Sequence, residues 1–267
     1  MSKLGMWGIP AILSLVIAQT VTAQSTGDVQ ALGKEIEALK AGQMAIQKDL
    51  QEIKSLLQRA PQAAVPAAPA RAAAPVEPTD VVVSIDGAPF KGDKGAKVTV
   101  VEFTDYQCPF CSRHFRQTWP QLEQDYVKTG KVKFFLREMP LEALHPQAFK
   151  AAEAARCAAE QGKYWEMHDR LFANQGALAR KDLSASAQAL GLDLGTFDKC
   201  VDSGSVAEIV RKDLADSDKA GARGTPTFYV GLTEPNSSEV KAVRVIRGAQ
   251  PYAAFKEAID SVLASAK

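Results

Sequence analysis

The chain has 267 residues, with 32 basic and 31 acidic side chains, 46% hydrophobic residues and four cysteines. That length holds one large domain plus extensions. A formal net charge of +1 argues against nucleic acid or an anionic membrane surface as a partner, since both need a basic surplus.

Residues 1–23 read as a signal peptide. Lys3 supplies the charged start, Ile9 to Ala18 the apolar core and Val21-Thr22-Ala23 the small-residue pattern, which places cleavage after Ala23. The apolar run falls short of the about 20 residues that span a bilayer. No cysteine follows the cleavage point to carry a lipid anchor. Lys3 is the only charge removed, so the remainder carries 31 bases and 31 acids. Export to the periplasm would put the cysteines in an oxidising compartment.

Residues 24–59 are expected to form a coiled-coil oligomerisation helix. Val29, Leu32, Ile36, Leu39, Gln43, Ile46, Leu50, Ile53 and Leu57 follow alternating steps of three and four, the spacing of a heptad seam with one polar layer. Residues 28–58 would form a rod about 46 Å long. A lone amphipathic helix folded on the main domain would bury a broader face than this narrow stripe. Ile36 with Leu39 favours two strands, whereas Leu50 and Leu57 with Ile46 and Ile53 favour more. A homo-oligomer is expected, with a trimer favoured over a dimer. Residues 60–79, with nine alanines and five prolines, read as an extended linker without a core of its own.

From residue 80 the chain reads as a single α/β domain. Val81–Ile85 and Lys97–Phe103 are expected strands, with a helix over Pro109–Tyr126 kinked at Pro120. Lys131–Arg137 is the next strand. Alanine-rich helical sequence then fills about 141–222, with Gly162, Gly176, Gly191 and Gly204 as breaks. Pro226–Val230 and Val240–Arg247 form a strand pair, and Pro251 opens a closing helix.

Cys108-Pro109-Phe110-Cys111 lies where the second strand meets the first helix. Free N–H groups and the helix dipole at that position stabilise an anion, so Cys108 is expected to ionise below the ordinary thiol value of about 8.5. Cys111, one turn on, is placed to attack a mixed disulfide formed at Cys108. The competing zinc-site reading needs two further ligands. Cys157 and Cys200 each stand alone, and His114, His145 and His168 form no pair at ligand spacing; no metal is expected. An even cysteine count in an exported chain favours a Cys157–Cys200 disulfide, set against two buried free thiols. His114 shares the helical face of Cys111 and is read as solvent-facing; His145 and His168 are read as structural. Phe103 and Phe228 are assigned to the core, and Phe110, between the cysteines, to substrate contact.

Glu102-Phe-Thr-Asp-Tyr-Gln-Cys-Pro-Phe-Cys111, paired with the distant Gly224-Thr-Pro-Thr-Phe-Tyr-Val230, resembles the thioredoxin superfamily and, within it, the DsbA-like thiol–disulfide oxidoreductases. The resemblance covers roughly residues 80–267. It implies a thioredoxin fold with an inserted helical subdomain. It also implies a cis Pro226 facing the CxxC pair, a Thr225 backbone that docks client peptide as an added strand, and a buried acid at Glu102. The stalk is similar, more loosely, to extensions in exported disulfide isomerases and suppressor-of-copper-sensitivity C proteins.

The resulting expectation is an exported protein disulfide oxidoreductase and isomerase that needs no cofactor. Cys108 attacks, Cys111 resolves, Glu102 moves the proton, and Thr225, Pro226 and Phe110 hold the client. Its partners would be cysteine-bearing client proteins and a redox protein that resets the pair. A dithiol oxidase and a non-catalytic peptide-binding holdase are the alternatives. A dedicated copper carrier would show the Met-rich or His-rich tracts that this chain lacks.

Overall fold

The computed structural model describes residues 13–59 and 77–266, which fall into two compact units. Residues 1–12 of the expected signal peptide and 60–76 of the expected linker lie outside the described residues. The first unit is one helix, α1 (Leu13–Arg59), about 70 Å long at 1.5 Å per residue. On it Leu32, Ile36, Leu39, Ile46 and Leu50 are all exposed. The described residues include no helix long and apolar enough to cross a membrane.

The second unit is built on a six-stranded sheet. Its strands are β1 (Glu77–Ser84), β2 (Phe90–Lys91), β3 (Val98–Thr104), β4 (Val132–Glu138), β5 (Thr227–Leu232) and β6 (Glu239–Arg247), ordered β1-β6-β5-β3-β4-β2. β3 and β4 run parallel, and every other pairing is antiparallel. β3 and β4 are buried at every residue, as expected for strands covered on both faces. β1 starts at Glu77, inside the stretch read as linker: Glu77 and Pro78 already pair with Val245 and Arg244. Proline is tolerated there because β1 is an edge strand. At Gly231 the β5–β6 register shifts, and a Cβ would meet the Lys241 carbonyl at 2.0 Å, so the close approach of these backbones requires glycine.

The helices are α2 (Pro109–Gln117), α3 (Trp119–Leu122), α4 (Ala148–Ala159), α5 (Tyr164–Ala173), α6 (Arg180–Ala189), α7 (Leu194–Ser203), α8 (Ala207–Lys219) and α9 (Tyr252–Ser265). α4 to α8 form the helical insertion between β4 and β5. The helix expected over 109–126 is three pieces. It stops at Thr118 because Pro120 cannot donate to the carbonyl of residue 116, restarts as α3, and ends in a π-helical turn over Glu123–Val127.

Side chains alternate across a strand. Val98 and Val100 of β3 therefore join the core cluster that holds Cys111 and α4, while Val101 and Phe103 pack in a second cluster with Tyr229 and Ala220. Glu102 shares the parity of Val98 and Val100, so the fold aims its carboxyl at the cysteine-bearing helix. Near the far end of β4, Arg137 is fully buried. Its guanidinium bonds Asp213 at 2.8 Å, Asp216 at 2.5 Å and the Ser84 carbonyl at 2.6 Å. Arg156 completes the cluster at 2.5 Å from Asp213, tying β4 to α4, α8 and β1.

Candidate active site

Cys108 caps α2 in extended conformation, with Pro109 in the first turn, where the missing proline N–H costs nothing. Its backbone is held from three sides. Asp105 Oδ1 accepts from the N–H groups of Gln107 at 2.7 Å and Cys108 at 3.1 Å. Asp105 Oδ2 accepts from Leu141 N at 2.8 Å and pairs with His145 Nδ1 at 2.7 Å. Gln175, from the insertion, donates to the carbonyls of Tyr106 at 2.8 Å and Cys108 at 2.9 Å. The loop before Cys108 is thus fixed by hydrogen bonds that include partners remote in sequence.

The Thr225-Pro226 peptide bond is cis, and the Cys108 thiol donates to the Thr225 carbonyl at 3.4 Å. Sequence positions 117 residues apart therefore meet at the sulfur. A hydrogen bond from the Cys111 thiol, followed by bonds from the Thr225 side chain and the backbone N–H groups of Cys111 and Phe110, outweighs burial and lowers the Cys108 pKa to about 6. The opposite holds for Cys111. Burial first, then its hydrogen bond to Cys108 and the nearby negative charge, pushes that thiol well above its ordinary value. Cys108 is itself only 3% exposed and Cys111 is fully buried. The two thiols differ in ionisation far more than in exposure.

Glu102 is 4% exposed. Burial raises its pKa to about 8, with further upward contributions from Glu138 and Cys108 and a downward one from Thr104. Phe110 is half-exposed, with the Arg113 guanidinium 5.1 Å from its ring centre. Phe103 and Phe228 are core residues. Cys157 on α4 and Cys200 on α7 form a disulfide within the helical insertion. No group of acidic, histidine or cysteine side chains able to hold a metal occurs among the described residues.

His114 departs from its expected place on the solvent face. It is 2% exposed and packs against Phe228 and Phe255, with ring centres 4.4 and 5.1 Å away. Helical spacing puts it beside Cys111, but β5 and α9, which cover it, are remote in the chain. Asp105 also escaped the sequence reading. An acidic residue three positions before a helix-capping cysteine is a local signal for such a loop clamp.

A family model described as Thioredoxin matches residues 85–261. Among solved structures, oxidised BdbD from Bacillus subtilis is 26% identical, with a TM-score of 0.62 over 70% of this chain and 99% of that one. The fold also matches alpha-DsbA1 from Wolbachia pipientis, at 21% identity and a TM-score of 0.57 over 69% of this chain and 94% of that one. A 150-residue stretch, 56% of this chain, is 40% identical to part of Na(+)/H(+) antiporter NhaA 3 from Salinispora tropica. The chain spans only 22% of that protein, so the match concerns a shared segment. With its CxxC pair at a helix start, a cis proline opposite and a helical insertion between β4 and β5, the chain belongs to the thioredoxin family and has the fold of its DsbA-like thiol–disulfide oxidoreductases.

Proposed function

We propose that the protein is an exported thiol–disulfide oxidoreductase that acts on client proteins, with Cys108 as nucleophile and Cys111 as resolving thiol. The observation that carries this reading is the Cys108–Cys111 pair at the start of α2, with the Cys108 thiol 3.4 Å from the Thr225 carbonyl beside the cis Pro226; the electrostatics agree, lowering the Cys108 thiol and raising that of Cys111. The Cys108 thiolate attacks a client disulfide. One client sulfur leaves as thiolate and the other stays bound to Cys108. That step removes the negative charge on Cys108, one of the causes holding the Glu102 pKa up, so Glu102 becomes readier to lose its own proton. Once ionised, it takes the Cys111 proton. Cys111 attacks the Cys108 sulfur, the intramolecular disulfide forms, and the client departs as a second thiolate. Two electrons pass from enzyme to client, and a separate redox protein restores them. The cis Pro226 and the Thr225 backbone hold the client strand beside the sulfur, and Phe110 presents an apolar surface to it.

Isomerisation is the finer reading. There a client thiol displaces Cys108 and no net electrons are transferred. The exposed seam of α1 supports it, because self-association through that helix would present several active sites to one misfolded client. Dithiol oxidation by the same residues is the competing activity, and a non-catalytic holdase the competing role. Alkylation of the reduced protein near neutral pH, mapped by mass spectrometry, should modify Cys108 before Cys111. Refolding of a scrambled disulfide substrate should require Cys108. Equal labelling, or undiminished function in Cys108→Ser, would overturn the assignment.

A further inference from the structure

Beneath the CxxC helix lies a small, largely enclosed cavity lined by Glu102, His114 and His168 among aromatic rings, with about 10 Å³ of space for a water centre. That is about the size one water needs. Glu102 Oε2 stands 4.0 Å from His114 Nε2. This is too long for a direct hydrogen bond and short enough for one water to bond both. Neither ring nitrogen of His114 has a hydrogen-bond partner although the side chain is buried, and an unpaired polar atom at such a site is costly. On the cavity's other wall, His168 is 4% exposed. It pairs through Nδ1 with Asp169 at 2.8 Å, whose carboxylate is half-exposed.

We propose that a buried water in this cavity connects Glu102 with His114 and His168, forming a proton exit that ends at Asp169 and resets Glu102 during each thiol exchange. This rests on the oxidoreductase reading above and extends it, because a proton leaving a carboxyl sealed from solvent needs a route. Each exchange releases one proton: Glu102 passes it to the water, the imidazoles relay it, and Asp169 delivers it to solvent. No bond to sulfur changes in this step. Burial, and secondarily His168, holds the His114 pKa at about 3, and burial lowers that of His168. Both rings are therefore neutral at ordinary pH, each with one donor and one acceptor nitrogen, as a relay requires. The other charged or titratable groups facing this path are Cys108 and Cys111, Tyr106, Glu138 on β4, Tyr164 on α5, Lys91 on β2 and Glu123 in the π-helical turn. His114 and His168 are thus positioning residues for proton transfer, and touch neither client nor sulfur.

The experiment is stopped-flow measurement of mixed-disulfide resolution in H2O and D2O across neutral pH, in the full-length wild type, His114→Phe and His168→Phe. Both substitutions keep an aromatic ring in an aromatic shell. The expected result is a slowing of about tenfold, smaller than the roughly hundredfold or more lost with a direct acid–base group. A larger solvent isotope effect and a steeper rise in rate with pH should accompany it. Unchanged rate, isotope effect and pH profile in both variants would overturn the relay. Should a variant fail to fold, nitrogen-15 imidazole spectra of the wild type decide. The ring-nitrogen signals of His114 and His168 should shift when the CxxC pair is oxidised and when Glu102 is replaced by Gln, and constant spectra would refute the connection. A wild type that exchanges no disulfides would instead overturn the oxidoreductase reading itself.

Discussion

Replacing Glu102 with Gln should stabilise the protein while impairing it. The carboxyl ionises at about 8 in the folded chain, against 4.5 for the ordinary group, chiefly because of burial. Between those values the unfolded chain loses a proton that the folded chain keeps, so stability falls as pH rises from about 4.5 and levels off above about 8. At pH 7 the interval is about 2.5 pH units, or about 3 kcal/mol at 1.36 kcal/mol per unit. The Gln amide also needs partners in that pocket, which returns about 1 kcal/mol. The expected net gain is therefore about 2 kcal/mol at pH 7, and it turns into a small net loss by pH 4.5, where the linkage gain is nearly gone and the amide cost remains. The oxidised protein is the form to use, because a cystine does not titrate; burial, the largest cause of the shift, remains there, while the smaller Cys108 contribution is lost and the gain is correspondingly reduced. Urea denaturation of wild type and Glu102→Gln at several pH values gives the difference, which includes the change in Glu138 titration that follows from removing the neighbouring charge. A difference that does not grow between pH 4.5 and 7 would show that Glu102 ionises normally and remove the basis for its role as proton acceptor. Resolution of the mixed disulfide by Cys111 should slow by about a hundredfold in the same variant.

The Cys108 thiolate should titrate near pH 6 by ultraviolet absorbance; a midpoint near the ordinary thiol value of about 8.5 would refute the hydrogen-bond account. Arg137→Met removes one of two buried arginine partners of Asp213, which keeps Arg156, and the buried partner of Asp216, which keeps Lys212 and Lys219; it should cost about 3 kcal/mol, the low end for breaking a buried pair, read from denaturant midpoints, whereas a near-neutral change would mean that the cluster relaxes or hydrates. Leu39→Lys together with Leu50→Lys, at two exposed seam positions of α1, should convert an oligomer to monomer by light scattering without altering simple dithiol exchange, and should lower isomerisation of scrambled substrate. A full-length wild-type monomer would reject the coiled coil.

The central strands and the CxxC pair at a helix start were legible because local signals fix them, whereas the cis Pro226 opposite came from the family resemblance. β-branched runs specify β3 and β5, and Pro109 starts a helix where Cys108 can cap it. The orientation of Glu102 also follows from strand parity once β3 is drawn. What escaped depends on elements distant in the chain. β2 is two residues long, too short to carry any periodicity. The pairing of Glu77 and Pro78 with β6 extends a strand into a Pro/Ala-rich stretch that local composition marks as linker. His114 looks exposed on a helix of polar residues until β5 and α9 cover it with Phe228 and Phe255. The Arg137 cluster draws on β4, α4 and α8, and nothing near Arg137 in sequence announces that its charge will be buried.

The contacts that hold Cys108 in place come from Asp105, Gln175 and the Thr225 backbone, and none comes from the side chains of Pro109 or Phe110. The hold on Cys108 therefore does not depend on the side chains of the intervening dipeptide. The dipeptide between the cysteines can vary, moving the reduction potential and client preference, while the scaffold around the nucleophile stays as it is. Such independence makes the chain a practical platform for engineering. A small library over positions 109 and 110 would sample oxidising and reducing enzymes on one unchanged framework, and a screen could sort them without first repairing the fold.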